Sequence, residues 1–249
     1  MGKELQEFKE QVALANRLLH HYGLTTYLGH ASARIPDTDR IIIKARPHVS
    51  MDRVRAQHLM TIDLDGNILE ASDEYPSRVS EWVLHAEIYK ARPEVGAVVH
   101  THQKWCTILG IAGVPVLPVQ HPTGLAVGTE PWPVYEESYA IVTEVKQARV
   151  VAQTLGKHMA CHLRTHGIVV VGANMEQALM AAAQAEHEAE MTWHAMLVGD
   201  PETIPMMAMG GTLDDDVGDR QDEVSKEDWQ NHLWVDEHLH AVRNRGVQF

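Results

Sequence analysis

The amino-acid sequence predicts an α/β protein in which helices enclose a mixed or antiparallel sheet. Three observations predict this class. Amphipathic helical periodicity opens the chain and returns several times along it. Residues 32–70 consist of short β-type runs separated by turn residues, as in an antiparallel meander. Two later apolar runs, 95–100 and 168–172, are typical of buried strands.

The first helix is predicted over residues 3–22, and Gly23 follows as a stop signal. Apolar residues recur there every three or four positions, which places them on one face. These residues are Leu5, Phe8, Val12, Ala15 and Leu19. The meander follows with the runs "ASARI" and "IIIKA" and then "LMTIDLDGNILE", in which Asp65-Gly66 is a hairpin signal.

A second helix is predicted over residues 77–91, where Arg92-Pro93 ends it. One stripe of this helix carries Trp82, His85, Ala86 and Tyr89. The run "VGAVVH" at 95–100 then predicts a core strand.

The next segments predict a short helix at 103–111, an edge strand "VPVLPV" at 114–119 and a longer helix at 137–156. The run "HLRTHGIVVVGA" has two extended halves around His166-Gly167. Asn174 and Gln177 resemble a capping box, which predicts a helix over 174–197.

The domain organisation is predicted to be one domain over residues 1–200 with an appendage over residues 201–249. The character of the chain changes after Asp200-Pro201, where an acidic stretch at 214–225 precedes a predicted helix at 226–244. We expect this acidic loop and helix to pack on the same domain or on a neighbouring subunit.

Composition excludes several partners. The formal net charge is −13, whereas nucleic acid binding needs clustered Lys and Arg, so we expect no nucleic acid partner. No apolar stretch approaches the ~20 residues of a membrane span, and the amino terminus has no apolar signal core. We therefore expect no membrane association and a cytoplasmic location. Cys106 and Cys161 have no disulfide or zinc spacing and are interpreted as buried, reduced thiols.

Two histidines at the end of the core strand are candidate metal ligands. Alternate strand residues point to the same side, so His100 and His102 would project together. His166 lies at another strand boundary and would complete a set of three ligands, and Glu81 on the preceding helix would supply a carboxylate. A turn histidine at 166 and a surface glutamate at 81 are the alternatives. His85, four residues after Glu81, is expected to support Glu81.

Three segments of the chain resemble the class II aldolase/adducin family. They occur in family order as "GHASAR" (29–34), "SEWVLHAEIYKARPEVGAVVHTH" (80–102) and "RTHGIVVVG" (164–172). The resemblance implies that His100, His102 and His166 hold a divalent metal, and that Glu81 acts there as base, acid or resting ligand. It also implies an α/β/α fold around a mainly antiparallel sheet in residues 1–200, and a homotetramer with active sites at subunit borders.

The sequence departs from family members that act on phosphorylated sugars. Their Gly-Asn loop, Thr-Gly turn and Ser-Ser pair are replaced by "GHAS" (29–32), "KARPHVS" (44–50) and "PSRVSE" (76–81). The histidine and arginine side chains in these segments suit planar carboxylates and ring hydroxyls, because a guanidinium pairs bidentately with a carboxylate. The residues expected to bind substrate are His30, Ser32, Arg46, His48 and Arg78. Surface positions for the two arginines are the alternative.

Some aldolases of the family use a tyrosine after the metal-ligand strand to protonate the leaving aldehyde. The run "VPVLPVQHPTG" has none, and His121 is our substitute candidate. This departure favours decarboxylation, a sibling reaction in the family. Both reactions leave an electron pair on carbon beside an oxygen that a metal ion can stabilise.

The sequence therefore predicts a divalent-metal-dependent carbon–carbon lyase, most readily a decarboxylase of a small hydroxylated aromatic or heteroaromatic carboxylic acid. The first alternative is an aldolase that cleaves a non-phosphorylated hydroxy-keto acid or sugar. A remote one is a non-catalytic, adducin-like binding module. The expected cofactor is one divalent ion per subunit, which could be zinc, manganese, cobalt or iron, with no organic cofactor.

Overall fold

A computed structural model describes residues 2–26, 28–120 and 131–203. Its helices are α1 (Gly2–His21), α2 (Trp82–Ala91), α3 (Lys104–Ala112), α4 (Val145–Leu155) and α5 (Met175–Val198). Its strands are β1 (His30–Arg34), β2 (Arg40–Arg46), β3 (Leu59–Asp63), β4 (Ile68–Glu70), β5 (Ser77–Arg78), β6 (Ala97–Thr101), β7 (Val134–Tyr135), β8 (Ala160–Leu163) and β9 (Gly167–Gly172).

The strands of the described residues form one sheet in the order β4-β3-β2-β1-β6-β9-β8-β7, and β5 pairs with β2. Every pairing is antiparallel except that of β7 with β8. The meander predicted over 32–70 corresponds to β1 to β4, with the predicted hairpin between β3 and β4.

Helices cover both faces of the sheet. On one face, α2 and α4 pack together and contribute Leu84, Ile88 and Val151 to an apolar core with inward residues of the strands. On the other face, α1 and α5 pack against the sheet and against each other, and α3 packs on α5. The predicted α/β/α arrangement around a mainly antiparallel sheet is confirmed.

Three predicted elements differ from the observed ones. Helix α2 begins at Trp82 rather than at residue 77, because Ser77 and Arg78 pair with β2 instead. Helix α4 begins at Val145 rather than at residue 137. Residues 114–119 form no strand.

The segment 114–119 is held by side chains of α5 instead of by a neighbouring strand. The backbone N–H groups of Leu117 and Val119 donate to Thr192 Oγ1 and to a carboxylate oxygen of Glu188, at 3.1 and 2.9 Å. The prolines in this run cannot donate to a ladder, and helix side chains accept from the N–H groups of Leu117 and Val119.

Three further predictions concern the appendage, the cysteines and membrane spans. The predicted loop and helix of the appendage 201–249 lie beyond residue 203 and thus outside them. Cys106 and Cys161 are free and buried, as expected. None of the described helices is both long and apolar enough to cross a membrane.

Candidate metal centre

Four predicted site residues converge beside the ends of the central strands β6 and β9. Glu81, His100, His102 and His166 each offer a ligand atom, and these atoms all lie within 4.8 Å of one another. The Nε2 atom of His102 lies 3.0 Å from Nε2 of His100 and 3.1 Å from Nε2 of His166. We call these four residues the metal cluster.

The fold brings the metal cluster together from three elements. His100 is on β6, and His102 follows the end of this strand, so the two imidazoles project to the same side as the alternation predicts. His166 lies in the turn between β8 and β9, and β9 pairs directly with β6. Glu81 immediately precedes α2 as its N-cap residue.

Hydrogen bonding fixes the orientation of the buried His100 ring. Its Nδ1 atom lies 2.9 Å from the backbone oxygen of Ile168 on β9. A carbonyl oxygen only accepts, so Nδ1 carries the hydrogen and the lone pair of Nε2 faces the cluster. Burial, followed by the charge of His102, lowers the pKa of His100 to about 3, which keeps this imidazole neutral.

The other two imidazoles are also held in the neutral form. Burial lowers the pKa of His166 to about 4, and the nearby His100 and His102 add to this effect against Glu81. Burial likewise lowers the pKa of His102, although Glu81 opposes the shift. Neutral imidazole is the form that coordinates a metal.

The donor set fits a divalent cation. In a tetrahedral zinc site with bonds of ~2.0–2.1 Å, neighbouring ligand atoms lie about 3.3 Å apart. The nitrogen separations of 3.0 and 3.1 Å are close to this value. Lone pairs converging this closely repel one another unless a positive charge lies between them, so the metal cluster is a candidate site for a metal ion.

Two glycines allow the backbone approaches on which the cluster depends. A Cβ atom on Gly167 would lie 2.2 Å from the backbone oxygen of Thr101 and 3.0 Å from Cδ2 of His102. Gly29 has a φ of +90°, and a Cβ atom there would lie 2.6 Å from Oγ1 of Thr25. Larger residues at either position would displace a histidine or its strand.

The Glu81 carboxylate is anchored from the segment before α4. Its Oε1 atom accepts a hydrogen bond of 3.0 Å from the backbone N–H of Val142. Its Oε2 atom lies 3.5 Å from Nε2 of His100 and 3.9 Å from Nε2 of His30. Glu81 is thus oriented by the backbone toward the imidazoles, and among the described residues His85 forms no hydrogen bond or ion pair with it.

His30 and Ser32 belong to a buried hydrogen-bonded group behind the metal cluster. His30 Nδ1 lies 2.7 Å from Nε2 of His85, and Ser32 Oγ lies 2.6 Å from Nδ1 of His85. Ser32 Oγ also lies 3.0 Å from the hydroxyl of Tyr89. Ser32 is predicted to bind substrate, but it is fully buried and its hydroxyl contacts His85 and Tyr89.

The two predicted arginines are placed differently. Arg46 is exposed, and its Nη1 atom donates to Oγ of Ser80, the neighbour of Glu81, at 3.2 Å. Arg78 stacks on the ring of Trp82 at 4.6 Å and donates to the backbone oxygen of Gly66. Arg78 would have to leave these contacts to pair with a substrate.

The remaining residues predicted to bind substrate are His48 and His121. His48 is exposed two residues after Arg46, and partial burial, followed by the charges of Lys44 and Arg46, lowers its pKa. His121 lies outside the described residues.

Sequence reasoning missed three partners in this region, which are the N–H of Val142, the carbonyl of Ile168 and the hydroxyl of Tyr89. The two backbone groups leave no signal in residue type. Tyr89 did leave one, since its spacing of four from His85 places both on one helical stripe.

Comparisons with known proteins agree with this fold. The family model described as Class II Aldolase and Adducin N-terminal domain matches residues 10–193. A 5-methylthioribulose-1-phosphate/5-deoxyribulose-1-phosphate aldolase of Rhodospirillum rubrum is 30% identical over 135 residues, covering 54% of this chain and 60% of the relative. A probable L-ribulose-5-phosphate 4-epimerase of Mycoplasma pneumoniae is 37% identical over 115 residues, covering 46% of each chain.

Both of these matches span less than two thirds of the relative. Among solved structures, an aldolase II superfamily protein from Pseudomonas syringae superimposes with a TM-score of 0.72 at 23% identity. That superposition covers 96% of this chain and 92% of the other, which indicates a shared fold.

Proposed function

This chain belongs to the class II aldolase and adducin family, and we propose that it is a divalent-metal-dependent carbon–carbon lyase. The observation that carries the proposal is the convergence of three imidazole nitrogens and one carboxylate within 4.8 Å. The residues that would hold the ion are His100, His102 and His166. A bound divalent cation would supply Lewis-acid stabilisation of an oxygen beside the reacting carbon.

We favour decarboxylation of a small hydroxylated aromatic or heteroaromatic carboxylic acid. Two basic side chains near Glu81 support this choice. Arg46 is exposed, and its guanidinium, hydrogen-bonded to Ser80 beside Glu81, can exchange this contact for a substrate carboxylate. His30 Nε2 lies 3.9 Å from Glu81 and offers a contact to a ring hydroxyl.

The residues would divide the reaction between them. Arg46 would bind and orient the acid, and His30 would contact the hydroxyl beside it. When the carbon–carbon bond breaks, carbon dioxide leaves and the electron pair stays on the ring carbon. The carboxyl group of Glu81 would deliver the proton that replaces carbon dioxide, after taking it from solvent or from the substrate hydroxyl.

The second candidate is aldol cleavage, which the likeness to the Rhodospirillum rubrum aldolase favours. That relative is named for phosphorylated substrates, whereas the segments at 29–32, 44–50 and 76–81 of this chain lack the neutral phosphate-binding pattern. Cleavage of a non-phosphorylated hydroxy-keto acid or sugar is therefore the form that we retain. Epimerisation, suggested by the Mycoplasma pneumoniae relative, would use the same carbon–carbon cleavage followed by rejoining.

The first experiment is carbon dioxide release from ortho-hydroxylated benzoates, phthalates and pyridine carboxylates by the remetallated protein. Release that disappears in His102→Ala supports the decarboxylase. An aldehyde product without carbon dioxide would support the aldolase instead. Native stability without bound metal, and no turnover of either kind, would revive the adducin-like binding module.

The role of Arg46 is tested by substitution. Loss of a charge-assisted contact of about 1.5–3 kcal/mol predicts that Arg46→Ala raises KM for the acid about 10-fold to 100-fold. Arg53→Ala is the matched control, since Arg53 is exposed and its side chain pairs only with the neighbouring Asp52 in the described contacts. An unchanged KM in Arg46→Ala would contradict the assignment.

A further inference from the structure

The group formed by His30, His85, Ser32 and Tyr89 lies directly behind the metal cluster and is buried from solvent. Three contacts join its members in series, and a fourth returns from Tyr89 to Ser32. His30 Nδ1 to His85 Nε2 is 2.7 Å, His85 Nδ1 to Ser32 Oγ is 2.6 Å, and Ser32 Oγ to Tyr89 Oη is 3.0 Å. The fourth is Tyr89 Oη to the backbone oxygen of Ser32, at 2.9 Å.

The direction of these hydrogen bonds follows from counting hydrogens. The backbone oxygen of Ser32 can only accept, so Tyr89 donates its single hydrogen to it. The hydroxyl of Ser32 then donates to Tyr89 Oη, because no other hydrogen is left for that contact. His85 must therefore donate from Nδ1 to Ser32 Oγ, and its Nε2 accepts from Nδ1 of His30.

The opposite direction of donation leaves one of the four contacts without a hydrogen. If Ser32 donated to His85, Tyr89 would have to donate to Ser32 Oγ, and the contact from Tyr89 to the Ser32 carbonyl would lose its hydrogen. A buried group favours the arrangement that satisfies every contact. Burial lowers the pKa of His85 to about 3, so this ring is neutral and has one donor and one acceptor.

We propose that His85, held by Ser32 and Tyr89, is a positioning residue that fixes His30 with its hydrogen on Nδ1 and a lone pair on Nε2. That lone pair faces the metal cluster, since Nε2 of His30 lies 3.9 Å from Oε2 of Glu81. His30 consequently accepts a hydrogen bond from a substrate hydroxyl and does not donate one to a carbonyl oxygen.

The inference rests on the proposed function for its substrate, and it restricts that substrate. The atom that meets His30 must carry a hydrogen, as a phenolic or alcoholic hydroxyl does. A substrate offering only acceptor oxygens at this place would face the lone pair and be repelled. The tautomer itself is a property of the protein alone and is measurable without any substrate.

Nitrogen NMR of the zinc-loaded, ¹⁵N-histidine-labelled protein tests the proposal, because ring ¹⁵N shifts distinguish the two neutral tautomers. Spectra of His30→Gln and His85→Gln assign the two rings. We expect the His30 ring to show a protonated Nδ1 and an unprotonated Nε2. A protonated Nε2 in the wild-type protein would overturn the proposal.

Tyr89→Phe tests the direction of the chain from its far end. Without the tyrosine hydroxyl, Ser32 is free to donate to Nδ1 of His85, which turns a hydrogen on Nε2 of His85 toward His30. Nδ1 of His30 must then accept, so the His30 hydrogen should move to Nε2 and the ¹⁵N shifts of the two ring nitrogens should change accordingly. Tyr135→Phe, a substitution at another buried tyrosine of the same core, should leave them unchanged.

An unchanged His30 tautomer in folded Tyr89→Phe would overturn the role of the chain. Should this variant not fold, Ser32→Ala removes the acceptor of His85 Nδ1 and should also alter the His30 resonances. Failure of carbon dioxide release would count against the proposed function but would leave these spectra, and the conclusion drawn from them, unaffected.

Discussion

The Nδ1 atom of His100 lies 2.9 Å from the backbone oxygen of Ile168, so a central strand and its neighbour are joined through a candidate ligand. The register pairs Thr101 with Ile168 and His100 with Val169, which places the imidazole within reach of that carbonyl. The same backbone pairing that builds the sheet therefore selects the tautomer whose Nε2 lone pair faces the metal cluster.

Removal of any one histidine of the metal cluster should abolish tight metal binding. We expect His100→Ala, His102→Ala and His166→Ala each to weaken affinity for zinc by more than about 100-fold, because loss of a ligand exceeds the 10–100-fold cost of losing a ligand's hydrogen-bond partner. Competition with a chromophoric chelator measures this. His194→Ala is the control, since this exposed histidine lies on α5 and bonds to the backbone of Glu190. Equal affinity in all four variants would refute the assigned ligands.

Replacement of Glu81 by glutamine separates proton transfer from folding. The amide oxygen can still accept from Val142, so the local structure should be kept. Because general acid–base catalysis contributes about 100-fold to 10,000-fold, kcat of Glu81→Gln should fall by a factor in this range while metal content is retained. Steady-state kinetics and metal analysis on the same sample provide the two readouts.

Glu87→Gln is the matched control for this experiment. Glu87 is a buried carboxylate on α2, the helix that Glu81 caps, and it pairs with Lys90 and Arg149 rather than with the metal cluster. Its variant should lose stability but keep kcat. Full turnover in Glu81→Gln would show that the carboxylate moves no proton in the rate-limiting step.

The sequence predicted which side chains converge better than it predicted their surroundings. Alternation along a strand is a local property, and it was sufficient to place His100 and His102 on one side. The contact of His85 with His30 depends instead on how α2 lies over β1, which no local periodicity specifies. The expectation that His85 supports Glu81 followed from helical spacing alone, and packing directs the ring to His30.

The same limit applies to the arginines. Residue type identified Arg78 as a partner for a carboxylate, but pairing of β5 with β2 turns its guanidinium onto Trp82. The segment 114–119 shows a related effect. An edge strand was predicted there, but these residues form no strand, and the carboxylate of Glu188 that holds the segment lies about seventy positions away in the chain.

Acid should destabilise the fold through its buried neutral histidines. Burial lowers the pKa of His85 to about 3 and that of His162 to about 4, against about 6.5 for an unfolded chain. Between these values the unfolded state binds protons that the folded state does not. The free energy of unfolding should therefore fall as the pH drops below about 6.5, by at most about 1.4 kcal/mol per pH unit for each such histidine.

Urea unfolding between pH 5 and 8 measures this slope. His162→Leu is the informative variant, because neither ring nitrogen of His162 has a hydrogen-bond partner among the described residues. The apolar side chain should reduce the slope and leave the protein at least as stable at pH 5. A slope identical to that of the wild-type protein would contradict the neutral, buried state of His162.

A methyl group at Gly167 should disrupt both stability and the metal cluster. The added Cβ atom would lie 2.2 Å from the backbone oxygen of Thr101, so β6 and β9 must separate or Thr101 must shift with the adjacent His102. Overpacking of this kind costs about 1–3 kcal/mol.

Gly199→Ala is the control, since no atom lies within 4 Å of its added methyl group and its φ of 175° suits any residue. We expect Gly167→Ala to lower both the urea midpoint and zinc affinity, and Gly199→Ala to change neither. A loss of stability without a loss of zinc affinity would show that the strands yield while the imidazoles keep their positions.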